Sequence, residues 1–564
     1  MKFSEFQYKR PNIKELETCF DELLRDFNNA ESLESQSSVM EKINELRNEF
    51  ESMSQIVGIR HTIDTTDKYY EEEQTFFDEN TPIYQGLVSN YYSSLVNSKF
   101  RTGLEDKWGK QLFNIAELTI KTFSPEIIED LQLENKLSSE YTKLMASAKI
   151  MFEGEERNLS QLAPFQISTD RDMRVKANKA KYGFMIENEQ KLDEIYDGLV
   201  KVRDKIAKKL GYENFVALGY DRMLRADYNS EMVANFRKQV KEYIVPTATE
   251  LRERQRIRLG LDELKYYDER FSFKTGNAKP KGDPEFILNC GNQMYNELSA
   301  ETKEFFDFMV ENELMDLVSK RGKAGGGYCT FISKYKSPFI FSNFNGTSGD
   351  VDVLTHEAGH AFQVFSSRNY EIPEYNFPTY EACEIHSMSM EFFTYPWMNL
   401  FFKSDVDKYK FSHLAEALLF IPYGVTVDEF QHYVYENPEA TPAERKHAWR
   451  EIEKKYLPHR DYADNDYLER GGWWHQQGHI FGSPFYYIDY TLAQICAFQF
   501  FKKASDNREN AWNDYLTLCK AGGSDSFVGL VKLANLISPF EDGCISSIIG
   551  HIENELNSID DAKL

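Results

Sequence analysis

The chain has 564 residues, long enough for several ordinary domains or for one large helical body. Its 91 acidic against 66 basic residues leave a net charge of −25, a negative surface that repels nucleic acid and anionic membrane and excludes both as partners. Cysteines stand singly at Cys19, Cys290, Cys329, Cys383, Cys496, Cys519 and Cys544, which excludes zinc sites built on CxxC pairs and suits free thiols in a reducing cytoplasm.

The amino terminus, MKFSEFQYKRPNIKELE, is charged throughout and lacks the apolar core of a secretory signal. From Asn12 to about Glu72 apolar residues recur every three or four positions among charges, predicting a helical hairpin. The same texture continues through residues 136–152, 170–211 and 230–260, so the first 260 residues or so are expected to be mostly α. A Gly-, Pro- and Lys-rich stretch from Phe271 to Phe286 is expected to be a surface loop. Lys323 to Gly349 is the single region with clear β character. Gly325 to Gly327 offer a mobile turn there, and Pro338 within SPFIFSNF predicts an edge strand. No repeat is evident. The longest apolar run, Ala417 to Ile421, is cut by Pro422, far short of the roughly 20 residues of a membrane span.

The chemistry begins at LTHEAGHAF, Leu354 to Phe362. Thr347 or Ser348 is expected to cap a helix here, with Asp350 and Asp352 in its first turn. His356 and His360 are four apart and project from one helix face, as two ligands of a tetrahedral zinc ion do. Glu357, one step round the helix, can reach a water without binding the metal. By chance alone HExxH would turn up in about 2 of 100 chains of this composition, so its surroundings must decide. They favour metal: Val351, Val353, Leu354, Ala358, Ala361, Phe362, Val364 and Phe365 make the helix apolar nearly all round, and buried imidazoles and carboxylates need a partner. Gly359 weakens the helix and implies close approach by another element.

A catalytic zinc needs a third protein ligand, and PTYEACEIHSMSMEFFTY offers Glu381, Glu384 and Glu391. Glu384 and Glu391 share a face two turns apart, so one suits the metal and the other a hydrogen bond to a ligand histidine. Spacing leaves Glu381 open. HEAGHAF followed by EIHSMSME resembles the M3 family of zinc metallopeptidases, the thimet oligopeptidase and oligoendopeptidase F group. That resemblance implies Glu384 as ligand and Glu391 behind it. It marks His386 as a departure, since relatives often have Pro there, and His386 is read as structural. SPFIFSNF resembles the strand along which substrate is laid, Phe339, Ile340, Phe341, Ser342 and Asn343. WWHQQGHIFGSPFYYIDYTLAQ resembles the segment whose His and Tyr face zinc. The specific matches span Gly325 to Gln494.

Read physically, Ser483 and Pro484 look like the N-cap and first residue of a helix whose face carries Tyr487 and Tyr490, with His479 in the turn before it. A shift of one residue exchanges Tyr486 for Tyr487. Such donors suit a developing oxyanion. His61, His413, His432, His447, His459 and His551 are read as structural or surface residues, with His475 a second candidate.

The resemblance implies a mainly α, two-lobed zincin-type metallopeptidase with a deep substrate channel and a small β-sheet beside the HExxH helix. An N-terminal helical region, 1–165, would precede a catalytic region, 166–564. The expected function is that of a zinc-dependent, cytoplasmic endopeptidase for oligopeptides, with one Zn²⁺ per chain. The alternatives are a zinc-stabilised peptide-binding protein without turnover and an extracellular thermolysin-like protease. Glu357 argues against the first, and the absent signal and the later Tyr segment against the second. Oligomeric state does not follow from the sequence.

Overall fold

The computed structural model describes residues 1–320 and 322–564. The chain is mainly helical, and the opening hairpin forms as expected, from Ile13–Asn29 and Leu33–Ile63. Its two starts are capped locally. The Asn12 side chain accepts the Glu15 N–H, and Ser32 and Ser35 satisfy each other's backbone donors.

β-structure is less confined than the sequence suggests. β1 (Ile150–Phe152) and β2 (Glu155–Arg157) form an antiparallel hairpin turned by Glu153 and Gly154, both at positive φ. Strands of three residues are too short to display an alternating pattern, which is why 323–349 looked unique.

β3 (Met315–Val318), β4 (Tyr328–Ile332) and β5 (Ser337–Phe344) form the sheet beside the HExxH helix, in the order β3-β5-β4. β5 runs parallel to β3 and antiparallel to β4. This corrects the edge-strand expectation for Phe339 to Asn343: β5 is central, and its backbone is engaged on both sides. Pro338 misled because it lies beside Phe331 of β4 but ahead of the β3 pairing, which begins at Ile340. Its missing N–H therefore costs no bond to β3. Among the described residues, the strands of this sheet without a second neighbour are β3 and β4.

β5 leads through Asn345–Gly346 into the HExxH helix, Gly349–Ser367. Neither Thr347 nor Ser348 caps it in the expected way. The Thr347 hydroxyl turns to Asn345, and the Asp350 carboxylate reaches back to accept the N–H groups of Asn345 and Gly346 at 2.8 and 2.7 Å. The helix is held by burial, with Leu354, Ala358, Ala361, Phe362 and Val364 fully enclosed. Each large apolar side chain contributes about 1.5–3 kcal/mol. The helix Tyr380–Phe393 lies directly across it. A Cβ on Gly359 would stand 2.6 Å from Ser387 Cα and 2.8 Å from the His386 carbonyl oxygen, so only glycine lets the two backbones meet.

Two further helices close the site, Val406–Glu436 and Tyr487–Asp506. One apolar core runs from Phe3 to Leu556, with a small satellite around Ile150 and Phe152. The N-terminal hairpin joins this body through Gln55, which accepts from Thr330 of β4 at 2.6 Å, and through the buried Arg47–Glu374 ion pair at 2.8 Å. All seven cysteines are free. Among the described residues, no helix is long and apolar enough to cross a membrane.

Candidate metal centre and active site

The HExxH helix and the helix Tyr380–Phe393 bring His356, His360 and Glu384 together. Nε2 of His356 is 3.3 Å and Nε2 of His360 is 3.6 Å from Oε2 of Glu384, and the three donor atoms lie within 4.8 Å of one another. Donors about 2.1 Å from a tetrahedral zinc ion stand roughly 3.4 Å apart, so nitrogen and oxygen donors at these separations fit that ion. Burial alone would raise the Glu384 carboxyl, but its contacts with His356 and His360 outweigh it and hold the group well below the usual carboxylate range. Burial likewise opposes charge on His356, yet Glu384 and Glu391 drive its pKa well above 6.5. Two carboxylates facing one imidazole favour positive charge at this point, which suits a metal ion as well as a proton.

The Glu384 side chain is held by its neighbours. Ser387 donates to Oε2 at 3.1 Å, and the Tyr486 hydroxyl donates to Oε1 at 3.4 Å. Glu391 accepts from Nδ1 of His356 at 2.7 Å, leaving Nε2 of that ring toward Glu384. Glu357 is 7% exposed, and its Oε2 has no hydrogen-bond partner. A buried carboxylate oxygen without a partner, on the residue that follows His356, is what a water-activating base needs. Gly327, just ahead of β4, lies along this side chain: a Cβ there would be 3.5 Å from Glu357 Oε1.

The His479 and tyrosine segment also reaches the centre, but not as its periodicity suggested. The expected helix start at Ser483–Pro484 fails because Phe485 takes φ +66°, a left-handed turn, and the helix begins at Tyr487. That turn is pinned from behind. Arg225 donates to the Phe485 carbonyl at 2.6 Å and pairs with Asp489 at 2.7 Å, both side chains fully buried, while Gln431 accepts the Phe485 N–H at 2.9 Å. The result favours Tyr486 over Tyr487. Tyr486 hydrogen-bonds Glu384 and packs 5.0 Å from the Tyr490 ring, whereas Tyr487 packs on Phe420, Tyr423 and His479 at 5.6, 5.7 and 5.1 Å. Burial, and then the Glu384 charge, keep the Tyr486 phenol protonated; burial does the same for Tyr490.

Burial lowers the His479 pKa, favouring the neutral ring. The Gln477 amide donates to its Nδ1 at 2.8 Å, which leaves the ring proton on Nε2. A cavity of about 640 Å³ opens beside His479, lined also by Tyr141, Gln477 and Ser483.

Other sequence candidates lie elsewhere. Glu381 is buried with both oxygens unpartnered, its carboxyl raised by burial and by Asp489, and it is outside the donor cluster. His386 meets the Ala382 carbonyl at 2.8 Å. His475 is fixed between Tyr467 and Asp193, at 2.8 and 3.1 Å. Sequence reasoning missed His413, whose side chain is 10% exposed and lies 2.7 Å from Oε2 of Glu391. It stands 22 residues beyond Glu391, outside any motif, and the one available signal was its fourfold spacing from Tyr409.

Residues 3–123 match the peptidase M3 N-terminal domain, and residues 165–548 match peptidase family M3. The chain is similar to an oligoendopeptidase F homolog of Borreliella burgdorferi, 24% identical over 69% of this chain and 68% of that one. Among solved structures it is similar to a Pz peptidase A determined with an inhibitor, at 66% identity and a TM-score of 0.94 over the full length of both chains. A putative oligoendopeptidase F from Bacillus anthracis is 62% identical, with a TM-score of 0.90 over 100% of this chain and 99% of the other. With the family match covering more than half its length, the chain belongs to peptidase family M3.

Proposed function

We propose that this peptidase is a zinc-dependent endopeptidase for short, unstructured oligopeptides, with one Zn²⁺ held by His356, His360 and Glu384. The carrying observation is the buried, unpartnered Oε2 of Glu357, the residue that follows His356, since a purely structural zinc site has no use for a base there. When bound, zinc supplies Lewis acidity that polarises the scissile carbonyl and acidifies water. Glu357 takes the proton of the attacking water and returns it to the leaving amine. Tyr486, Tyr490 and Nε2–H of His479 donate to the carbonyl oxygen as its charge grows, and the Arg225-pinned turn presents them without reorganisation.

Substrate backbone pairs with the free edge of β4, beside Glu357, rather than with the fully engaged β5. The names of the relatives, oligoendopeptidase F and Pz peptidase A, support peptides as substrates. We assign the chemistry to residues 166–564 and a supporting role to 1–165. The free thiols suit a cytoplasmic location.

The test is cleavage of a quenched fluorescent peptide library by the wild type and Glu357→Gln, with zinc content measured on both. Zinc retained with cleavage lost in the variant supports the reading. Equal cleavage by both proteins sinks the mechanism. Zinc bound with no cleavage by either supports the peptide-binding alternative.

A further inference from the structure

Glu391 spends both carboxylate oxygens on histidines. Oε1 accepts from His356, a donor of the metal centre, and Oε2 accepts from Nε2 of His413, each at 2.7 Å. The other ring nitrogen of His413, Nδ1, meets the Tyr395 hydroxyl at 2.7 Å. The directions are constrained. His356 must offer a bare Nε2 to a metal, so its Nδ1 carries the proton and donates. An ionised carboxylate only accepts, so the bond at Oε2 must come from His413.

The same helix reaches the HExxH helix a second time. Tyr409 is one turn before His413, on the same face of Val406–Glu436, and its hydroxyl donates to Asp352 at 2.6 Å. Asp352 is itself one turn before His356. One face of one helix therefore grips the start of the HExxH helix and the carboxylate behind its first histidine. The Glu391 side chain turns about three bonds, and a hydrogen bond at one oxygen leaves it free to swing. The second bond, from a half-buried ring fixed by Tyr395 and packed 5.6 Å from Phe392, removes that freedom.

We propose that His413 is a positioning residue of the metal centre: it locks Glu391, Glu391 fixes the orientation and tautomer of His356, and zinc affinity thereby depends on a side chain that never touches zinc. The inference rests on the zinc reading given above. Partners of this kind behind a ligand histidine typically change metal affinity by about tenfold to a hundredfold.

The test is chelator competition on the zinc-loaded protein, alongside thermal melting of the metal-free forms. His413→Leu is expected to lose zinc at about tenfold to a hundredfold lower chelator concentration than the wild type. His413→Gln, whose amide places a donor near the position of Nε2, is expected to recover most of that loss. Should His413→Leu fail to fold, His413→Asn replaces it: its amide stops short of Glu391, so it is expected to hold zinc more weakly than His413→Gln. Wild-type affinity in His413→Leu, or equal affinities in the Gln and Asn variants, overturns the inference. A fall in melting temperature with unchanged zinc affinity also overturns it, leaving His413 a packing residue. A wild type that retains no zinc refutes the zinc reading itself, separately from the role of His413.

Discussion

Tyr486 donates its hydroxyl to Oε1 of Glu384 at 3.4 Å, while its chain neighbour Tyr487 packs its ring among Phe420, Tyr423 and His479. On the proposed reading the two phenols differ in role. Tyr486→Phe is expected to lower kcat by about 10²–10³ with zinc content unchanged, the cost of one lost oxyanion donor. Tyr487→Phe is expected to leave kcat unchanged. Steady-state kinetics on both variants check this, and equal losses would return Tyr487 to the site.

Gly359 sets the spacing of the two ligand helices. In Gly359→Ala the new methyl meets the backbone at Ser387 and His386, neither of which can rotate aside. The expected cost is about 1–3 kcal/mol of stability, together with weaker zinc retention as Glu384 moves from the histidines. Denaturant unfolding and metal analysis read the two effects, and an unchanged midpoint would show that the helices tolerate separation.

A metal joining two helices stabilises the folded state by mass action. Free zinc at a hundredfold excess over its dissociation constant adds about 2.7 kcal/mol, so chelation is expected to lower the melting temperature and added Zn²⁺ to restore it. The same treatment of His360→Ala is expected to shift its melting temperature far less. A wild-type melting curve indifferent to chelator would contradict this linkage.

Acid sensitivity follows from two histidines outside the donor cluster. Burial pushes His432 down to about 4 and His459 down to about 3, against an ordinary value near 6.5. Above pH 6.5 both are neutral, folded or unfolded, and their contribution is fully present. As pH falls below 6.5 the unfolded chain gains protons that the folded chain refuses, and stability is lost until the folded values are reached. Each group contributes a slope of up to about 1.4 kcal/mol per pH unit. Urea midpoints between pH 7 and 5 measure this, and His459→Gln is expected to flatten the slope by one group's share. An unchanged slope would show that His459 takes up its proton while folded.

The candidate donor cluster was legible because helical spacing alone puts His356 and His360 on one face, and a second helix carried a short choice of carboxylates. Choosing Glu384 over Glu381 needed more than spacing, because the distinction lies in what surrounds each side chain: Glu381 faces Asp489, Glu384 the two imidazoles. Tyr486 and Tyr487 were confused because the helical period assumes a regular start, and the positive φ at Phe485 is imposed by Arg225 and Gln431, both distant in sequence. Pro338 marked a strand without a β3 partner at its own position, not along its whole length. His413 was missed because its spacing from Tyr409 places both on one helix face without showing that this face meets Glu391 on another helix.

The engagement of β5 on both sides has a consequence for what the enzyme can cut. The strands left with an open side, β3 and β4, are four and five residues long. On the proposed reading, five residues of β4 offer about 17 Å of unpaired backbone. A peptide can use that length only if its own N–H and C=O groups are unspent. In a folded protein they are already committed to helices and sheets, and releasing five residues of them costs conformational order that so short a ladder does not repay. Discrimination against folded proteins is then a matter of hydrogen-bond vacancy in the substrate, set by strand length, before any question of whether the substrate fits the cleft.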